Sequence, residues 1–243
     1  MAKKCDGNFG NAKSFLSFAA AIMTESDPKE RIKKAAHELV MKYSIRSVSM
    51  DDIAAHLGIS KKTIYLYYKD KDELVDAIIE SEIGRTTEIC ERDLDISENA
   101  VHEIILAMDM MVEIFRSMNP SLLFDLRKYH PKAFAKFNLH KTTYLFEVMK
   151  QNLVRGVREK LYRPDINIDI MARFRVESVF IPMAPEFHVG IKSSILEAEE
   201  QMIVHFLFGL VTPKGYEMVE KYLKERETSF GKTEKKQVKV NGH

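Results

Sequence analysis

The chain has 243 residues, 45% of them hydrophobic, which is enough to bury one large core or two smaller ones. Its formal net charge is +1, from 37 Lys and Arg against 36 Asp and Glu, and this excludes a uniformly polycationic protein. The two cysteines, Cys5 and Cys90, lie far apart in no paired motif, so we expect no disulfide framework and a reducing, cytoplasmic location. No apolar run reaches the roughly 18 residues that a membrane-spanning helix needs.

The first 26 residues show no helical periodicity and are predicted to form a mobile N-terminal extension. Asp27 then offers a capping side chain, Pro28 suits the first helical position, and apolar residues recur at helical spacing from Ile32 onward. The sequence therefore predicts an amphipathic helix that ends near Tyr43. Ser44 follows it, and a left-handed conformation there would cost about 1 kcal/mol relative to glycine.

Residues 49–71 predict two short helices joined by a tight turn. Ser49 can cap the first helix, with an acidic residue three positions on that completes a capping box. Gly58 can end that helix in the left-handed region, and Ser60 can cap a second helix over residues 61–68. A bend this short predicts a helix-turn-helix.

The second of these helices has an unusual surface. It begins with Lys61 and Lys62, although cations at a helix N-terminus oppose the helix dipole. Residues 29–71 hold ten Lys and Arg against five Asp and Glu, a local excess of five positive charges. Such a surface favours contact with phosphates and base edges in the major groove. The alternative is a structural helical hairpin with a solvated basic face.

This segment resembles the N-terminal DNA-binding domain of TetR-family transcriptional repressors over about residues 28–80. The resemblance rests on apolar, capping, aromatic and lysine positions that match without a gap: Val48, Ile53, Ala54, residues 57–60, residues 63–65, Tyr67, Tyr68, Lys71 and Leu74. Lys62 departs from the family pattern, because many members have glycine or proline there, and Ser44 stands where glycine is common.

The resemblance implies a homodimer that binds a palindromic double-stranded DNA operator and responds to a small-molecule effector held in its C-terminal body. It implies that Lys61 and Lys62 read bases and that Leu66 touches a thymine methyl. It implies phosphate contacts from Thr63, Tyr65, Tyr67 and Lys71, and Ser49 at its helix N-terminus is predicted to donate to phosphate as well. Tyr68 is expected to pack inward.

The rest of the chain predicts helices almost throughout, so the fold class is all-α. A helix-turn-helix DNA-binding domain over residues 27–75 precedes a helical ligand-binding and dimerisation domain over residues 76–226. Residues 227–243 are polar and unpatterned and predict a disordered basic tail. The predicted helices cover about residues 72–91, 99–118, 120–129, 131–161, 168–180, 196–210 and 213–226.

The body offers weaker functional signals. An apolar pocket usually carries a few polar anchors, and methionine suits a permissive wall. The pocket residues predicted on that basis are Phe115, Met118, Arg127, Tyr129, Tyr144, Phe174 and Glu177. The predicted dimer face on the penultimate helix consists of Ile203, Phe206, Leu207 and Leu210.

The sequence carries no nucleotide-binding, zinc-protease or nucleophile-elbow motif, and its eight histidines have no metal-ligand spacing. We therefore expect no enzyme activity, no cofactor and no metal. The alternative to an operator-specific repressor is an architectural or non-specific DNA-binding protein.

Overall fold

The computed structural model describes residues 27–240, except the side chains of residue 185 and of residues 229–240. The predicted all-α class is confirmed: no strand occurs in this part of the chain, and Tyr162 and Val211 form an isolated β-bridge. The helices are α1 (Pro28–Tyr43), α2 (Met50–Leu57), α3 (Lys61–Tyr65), α4 (Lys71–Ile96), α5 (Ala100–Ser117), α6 (Leu122–Tyr129), α7 (Pro131–His140), α8 (Phe146–Arg158), α9 (Ile168–Ser178), α10 (Ile195–Leu210) and α11 (Pro213–Val240).

Helices α1 to α3 form a three-helix unit because each turns one apolar face inward. Ile32 and Val40 of α1 pack with Ile53 of α2 and Ile64 of α3, and all four side chains are buried. We call this the N-terminal cluster; it also takes in the start of α4 and two buried residues of the body, Leu126 and Ala133. The DNA-binding domain predicted over residues 27–75 therefore shares its core with the body.

A second apolar core, the C-terminal cluster, fills the body. It is built from Val101 and Ile104 of α5, Leu153 of α8, and buried residues of α10 and α11 that include Leu207 and Val219. The 26-residue α4 connects the two domains, because its first turns carry Leu74 and Ile78 of the N-terminal cluster and its remainder runs toward α5.

The long helix predicted over residues 131–161 is present but interrupted. A π-helical turn over Lys141–Leu145 separates α7 from α8. Before it, Phe134 and Phe137 pack on the N-terminal cluster, and after it Phe146 packs on the C-terminal cluster. Helix α7 lies along α4, where Lys136 forms an ion pair of 2.6 Å with Asp76.

Several predicted boundaries are wrong. Helix α3 ends at Tyr65, three residues early, because Leu66 and Tyr67 already form a turn that bonds back to Thr63 and Ile64. Helix α4 runs five residues beyond the predicted end, to Ile96. Helix α11 continues to Val240 where a disordered tail was expected, since its Lys, Glu and Gln residues are strong helix formers. The predicted extension over residues 1–26 and the end of the tail over residues 241–243 lie outside the described residues.

Candidate DNA-binding surface and internal cavity

Side-chain caps fix the two short helices as the sequence predicts. The hydroxyl of Ser49 accepts from the backbone N–H of Asp52 at 3.2 Å, and the Asp52 carboxylate accepts from the Ser49 N–H at 2.7 Å. The Ser49 hydroxyl also donates to the Asp52 carboxylate at 2.6 Å, and this bond, together with the one from the Ser49 N–H, holds the pKa of Asp52 below its usual value. Gly58 ends α2 at φ 65° and ψ 31°, and the hydroxyl of Ser60 caps α3 through the N–H of Thr63 at 3.1 Å. Two helix ends and the turn between them therefore follow from local chemistry.

Helix α3 has one buried side and one open side. Ile64 and, just beyond the helix, Tyr68 are 0% and 1% exposed and anchor it to the N-terminal cluster. The Tyr68 hydroxyl donates to the backbone oxygen of Lys29 at 3.2 Å, so the predicted inward packing of Tyr68 is confirmed. The open side carries side chains predicted to bind DNA: Lys61, Lys62, Tyr65 and Leu66 are exposed, and Thr63 and Tyr67 are half-buried.

Lys61 is held by a carboxylate of the preceding helix. Its Nζ lies 2.7 Å from Oδ2 of Asp51 in the first turn of α2, and both side chains are exposed. This hydrogen bond raises the pKa of Lys61 above its usual value. If Lys61 reads bases, its ion pair with Asp51 must first break. Lys62 differs, because none of the ion pairs in the described part of the chain involves it.

Lys71 has a structural role that the sequence did not suggest. Its Nζ donates to the backbone oxygens of Ile45 and Val48, both at 2.5 Å. Burial lowers the pKa of Lys71 despite nearby carboxylates. The ammonium group thus links both ends of the loop between α1 and α2. The only sequence signal for this role was the position of Lys71 at the start of a helix, where a cation opposes the helix dipole.

A cavity of about 280 Å³ lies between the two apolar clusters. It touches α1 and α4 on the side of the DNA-binding domain, and α5, α8 and α9 on the side of the body. Its wall is mainly apolar and includes six methionines: Met41, Met110, Met111, Met118, Met149 and Met183. Cys90 also lines it, and burial raises the pKa of that thiol to about 11. The space is suited to an apolar guest.

Of the predicted pocket residues, Phe115 and Met118 line this cavity and five do not. Phe174 is 49% exposed on the outer side of α9, and Glu177 pairs with Lys141 on the surface at 2.7 Å. Tyr144 turns its hydroxyl to the backbone oxygen of Thr87 at 3.4 Å. The other two, Arg127 and Tyr129, are exposed at the end of α6. These five residues lie outside this cavity because helical periodicity does not say which neighbour a helix face meets.

Charged side chains on the cavity wall have bonded counterions. Glu103 pairs with Arg155 at 3.0 Å, and Arg175 pairs with Glu199 at 2.6 Å. Burial raises the pKa of both Glu103 and Glu199, although the arginines oppose that change. These charges on the cavity wall are therefore already compensated within the protein. Arg175 was not among the predicted site residues, and the sequence signal that could have found it is an arginine placed between apolar residues of a predicted core helix.

Glu82 lies on the wall nearest the DNA-binding domain. Nε2 of His37 lies 3.2 Å from its carboxylate, and Arg85 donates to it at 2.8 Å. Burial would raise the pKa of Glu82, but the hydrogen bonds from His37 and Arg85 outweigh burial and lower it to about 2. His37, Glu82 and Arg85 thus link α1 to α4 beside the cavity.

The predicted dimer residues are interior. Ile203, Phe206, Leu207 and Leu210 are at most 5% exposed within the single chain, because that face of α10 packs on α5 and α9 in the C-terminal cluster. They cannot form a surface between two chains, and the prediction of that face is wrong. Within residues 27–240, no helix is long and apolar enough to cross a membrane, and no group of three or more His, Cys, Asp or Glu could hold a metal ion.

An all-helical chain that presents a basic helix beyond a capped three-residue turn is a helix-turn-helix DNA-binding protein. The model of the family described as bacterial regulatory proteins, tetR family, matches residues 32–78. The chain is thus a transcriptional regulator whose helix-turn-helix domain belongs to the TetR family, and the resemblance is confirmed.

Known proteins resemble this chain in sequence or in fold. The chain is 29% identical over 178 residues to the uncharacterised HTH-type transcriptional regulator YvaF of Bacillus subtilis, covering 68% of this chain and 86% of YvaF. A TetR/AcrR-family regulator from Thermobifida fusca matches in structure with a TM-score of 0.57 and 21% identity, over 74% of this chain and 97% of that one. FadR from Bacillus subtilis in complex with stearoyl-CoA matches with a TM-score of 0.56 and 16% identity, over 72% and 96%.

Proposed function

We propose that the protein is an operator-specific, effector-responsive repressor that acts as a homodimer in the cytoplasm and has no catalytic role. The observation that supports this most directly is the open face of α3, where Lys61 and Lys62 project while Ile64 anchors the helix from behind. Lys61 and Lys62 read base edges, and Leu66 meets a thymine methyl. The phosphate contacts come from Ser49, Thr63, Tyr65 and Tyr67. Lys71 adds its third ammonium N–H, because the other two bond the backbone oxygens of Ile45 and Val48.

Selection of duplexes from a random pool, followed by titration of the selected operator, tests this function. Lys62→Ala should cost about 1–3 kcal/mol on the operator and relax preference at one base pair. Lys192→Ala, which removes an exposed lysine of the body, is the matched control and should leave binding unchanged. If affinity falls equally for operator and random DNA, Lys62 does not read bases.

The same titration separates the repressor from an architectural DNA-binding protein. A specific regulator binds its operator about 10³-fold or more tightly than random duplex at physiological salt. A ratio near one would favour the architectural alternative.

The effector belongs in the cavity between the two clusters. Because the charges on the wall are paired, a free charge on a guest would lose its hydration without gaining a partner. We therefore propose that the part of the effector held there is uncharged and apolar, a conclusion to which the stearoyl-CoA bound by the structurally similar FadR lends support. Effector and operator then favour different arrangements of the two domains, and each weakens binding of the other.

Filling the cavity tests the effector site without touching the DNA-binding face. Ala107 lines the cavity on α5, and Ala107→Trp should occupy part of its volume. The variant should bind operator but lose release by any effector that acts on the wild type. A variant that still responds with unchanged sensitivity would place the effector elsewhere.

The dimer contact uses a different face from the one predicted. Ile170 and Phe174 of α9 are 58% and 49% exposed one helical turn apart, and His205 and Gly209 are exposed on the adjacent α10. A dimer that reads a palindromic operator must place its two α3 helices about 34–36 Å apart, the spacing of successive major grooves. Phe174→Glu should give a monomer in light scattering, and Leu139→Glu, at a residue 64% exposed on α7, should not. Persistence of the dimer in Phe174→Glu would exclude this face.

A further inference from the structure

A small patch of cations and aromatic rings lies where the DNA-binding domain meets the body. Phe124 and Tyr129 of α6 are 61% and 39% exposed, which is unusual for side chains of this size. Nζ of Lys128 lies 5.5 Å from the ring centre of Phe124 and 5.3 Å from that of Tyr129. Cζ of Arg46, from the loop between α1 and α2, lies 5.8 Å from the Tyr129 ring centre. We call these four residues the junction patch.

The patch gathers positive charge that the protein does not neutralise. Arg46 and Lys128 converge on one ring, and neither takes part in any of the ion pairs found in residues 27–240. The nearest carboxyl group on α6 belongs to Asp125, which is buried and accepts from Ser44 and from the Arg46 backbone N–H instead. Two like charges held together without a counterion favour an anion from outside.

The patch continues the surface that we propose to bind phosphates. Lys71 bonds the backbone oxygens of Ile45 and Val48, on either side of Arg46, and Ser49 caps α2 only three residues beyond Arg46. Three residues of extended chain span at most about 10 Å, and successive phosphates of one strand rise about 3.4 Å per base pair. Arg46 is therefore within a few base pairs of any phosphate that Ser49 holds.

The end of α6 is fixed at the same level. The next residue after Tyr129, His130, places Nδ1 2.6 Å from Oδ1 of Asp72 in the first turn of α4. The start of α4 also holds Lys71, so Lys128 and Tyr129 lie beside the α4 N-terminus rather than deep in the body. Residues from two domains thus meet on one edge.

We propose that the junction patch is a second DNA-backbone site: Arg46 and Lys128 bind phosphates of the duplex beyond the base pairs that α3 reads. The aromatic rings keep the two cations in place by cation–π contact and leave their donors free for phosphate oxygens. This inference rests on the proposed DNA-binding function and extends the contact from the helix-turn-helix to the body. It makes the site sequence-independent, because phosphates carry no base information.

The test is the salt dependence of binding by the double variant Arg46→Ala, Lys128→Ala. Each lost phosphate contact removes about 0.9 from the slope of log affinity against log salt, so the slope should fall in magnitude by about two per protomer and by about four for the proposed dimer. Affinity for the selected operator and for random duplex should fall together, by roughly 100-fold at moderate salt. Hydroxyl-radical footprints should lose protection outside the base pairs that depend on Lys62, and keep it inside.

Two further variants separate charge from shape. Lys192→Ala with Lys224→Ala removes the same charge from exposed body positions and should leave the slope unchanged. Arg46→Lys with Lys128→Arg keeps the charge and should keep the slope. A double variant with the wild-type slope and footprint, or a charge-conserving variant that loses as much as the alanines, would overturn the proposal.

The test of operator-specific repression is independent of the test of the junction patch. If the wild type shows no operator preference, specific repression is wrong, while the slope on random duplex still decides whether the junction patch binds phosphates.

Discussion

The hydroxyl of Ser44 donates to Oδ2 of Asp125 at 2.6 Å, across 81 residues of sequence and between the two domains. Ser44 holds φ 71° and ψ 157°, a backbone region used almost only by glycine. Both side chains are buried, at 3% and 6% exposure. The hydrogen bond thus offsets a strained backbone and fixes the end of α1 to α6.

Replacing Ser44 separates strain from hydrogen bonding. Ser44→Ala keeps the strain and leaves the Asp125 carboxyl without its closest donor, so the free energy of unfolding should fall by about 1–3 kcal/mol. Ser44→Gly loses the same bond but relieves about 1 kcal/mol or more of strain, so it should be the more stable of the two. Urea denaturation of both variants measures the difference, and a less stable glycine variant would contradict this account.

Asp51 is predicted to restrain DNA binding. It holds Lys61 at 2.7 Å and adds a negative charge beside α3, the helix that we propose to enter the major groove. Asp51→Asn should therefore increase affinity several-fold on operator and random DNA alike, because it frees the lysine and removes repulsion of phosphates. Glu217→Gln, at an exposed position on α11, is the control. An unchanged or weaker affinity in titrations of Asp51→Asn would show that the ion pair helps to position Lys61.

Two helical glycines should respond in opposite directions to alanine. A Cβ on Gly156 would lie 2.0 Å from the ring of Tyr162, which is 1% exposed and bonded through its hydroxyl to Ala100 and Asn152. Gly156→Ala should destabilise the protein by about 1–3 kcal/mol or more.

Gly84, in the middle of α4, is the matched position. Nothing lies within 4 Å of a Cβ placed there, so Gly84→Ala should stabilise by about 0.5–1 kcal/mol. Thermal unfolding of the two variants should therefore shift to lower and higher temperature respectively. A stabilised Gly156→Ala would mean that the ring of Tyr162 moves freely.

Glu82 should make the free energy of unfolding depend on pH in the acidic range. Its pKa of about 2 lies below the ordinary value of 4.5, so the unfolded chain binds more protons between those values. The stabilisation from Glu82 is therefore complete above about pH 4.5 and is lost as pH falls toward 2, with a slope of at most about 1.4 kcal/mol per pH unit. In urea denaturation from pH 2 to 6, the free energy of unfolding of Glu82→Gln should depend less on pH than that of the wild type. Glu38→Gln, an exposed control on α1, should keep the pH dependence of the wild type.

The caps and the turn of the helix-turn-helix could be predicted because their determinants are local, although the end of α3 could not. Ser49, Gly58 and Ser60 act on backbone groups within three or four positions, and Ile64 and Tyr68 bury the face that the apolar spacing marks. The lysines at the start of α3 stood out because they oppose the dipole. Where tertiary contact decides, as in the ion pair of Lys61 with Asp51, the sequence carried no comparable signal.

The body shows the limit of the same reasoning. Periodicity correctly marked Phe206 and Leu207 as apolar, but it could not distinguish a core from a dimer contact. Phe174 was assigned to the pocket and lies on the outer surface, and Arg175, its neighbour, is the buried residue on the cavity wall. One step along a helix changes the direction of a side chain by about 100°, and only the packing of several helices decides which direction is inside.

The π-helical turn at Lys141–Leu145 has a consequence for comparing this chain with its relatives. It adds one residue to a turn, so α8 is rotated by about one residue step relative to an uninterrupted helix. A relative that lacks the extra residue would need a one-position gap inside an apparently continuous helix. An alignment drawn straight through this region would pair Leu153 and Asn152 with outward positions and misplace the part of the cavity wall that α8 supplies.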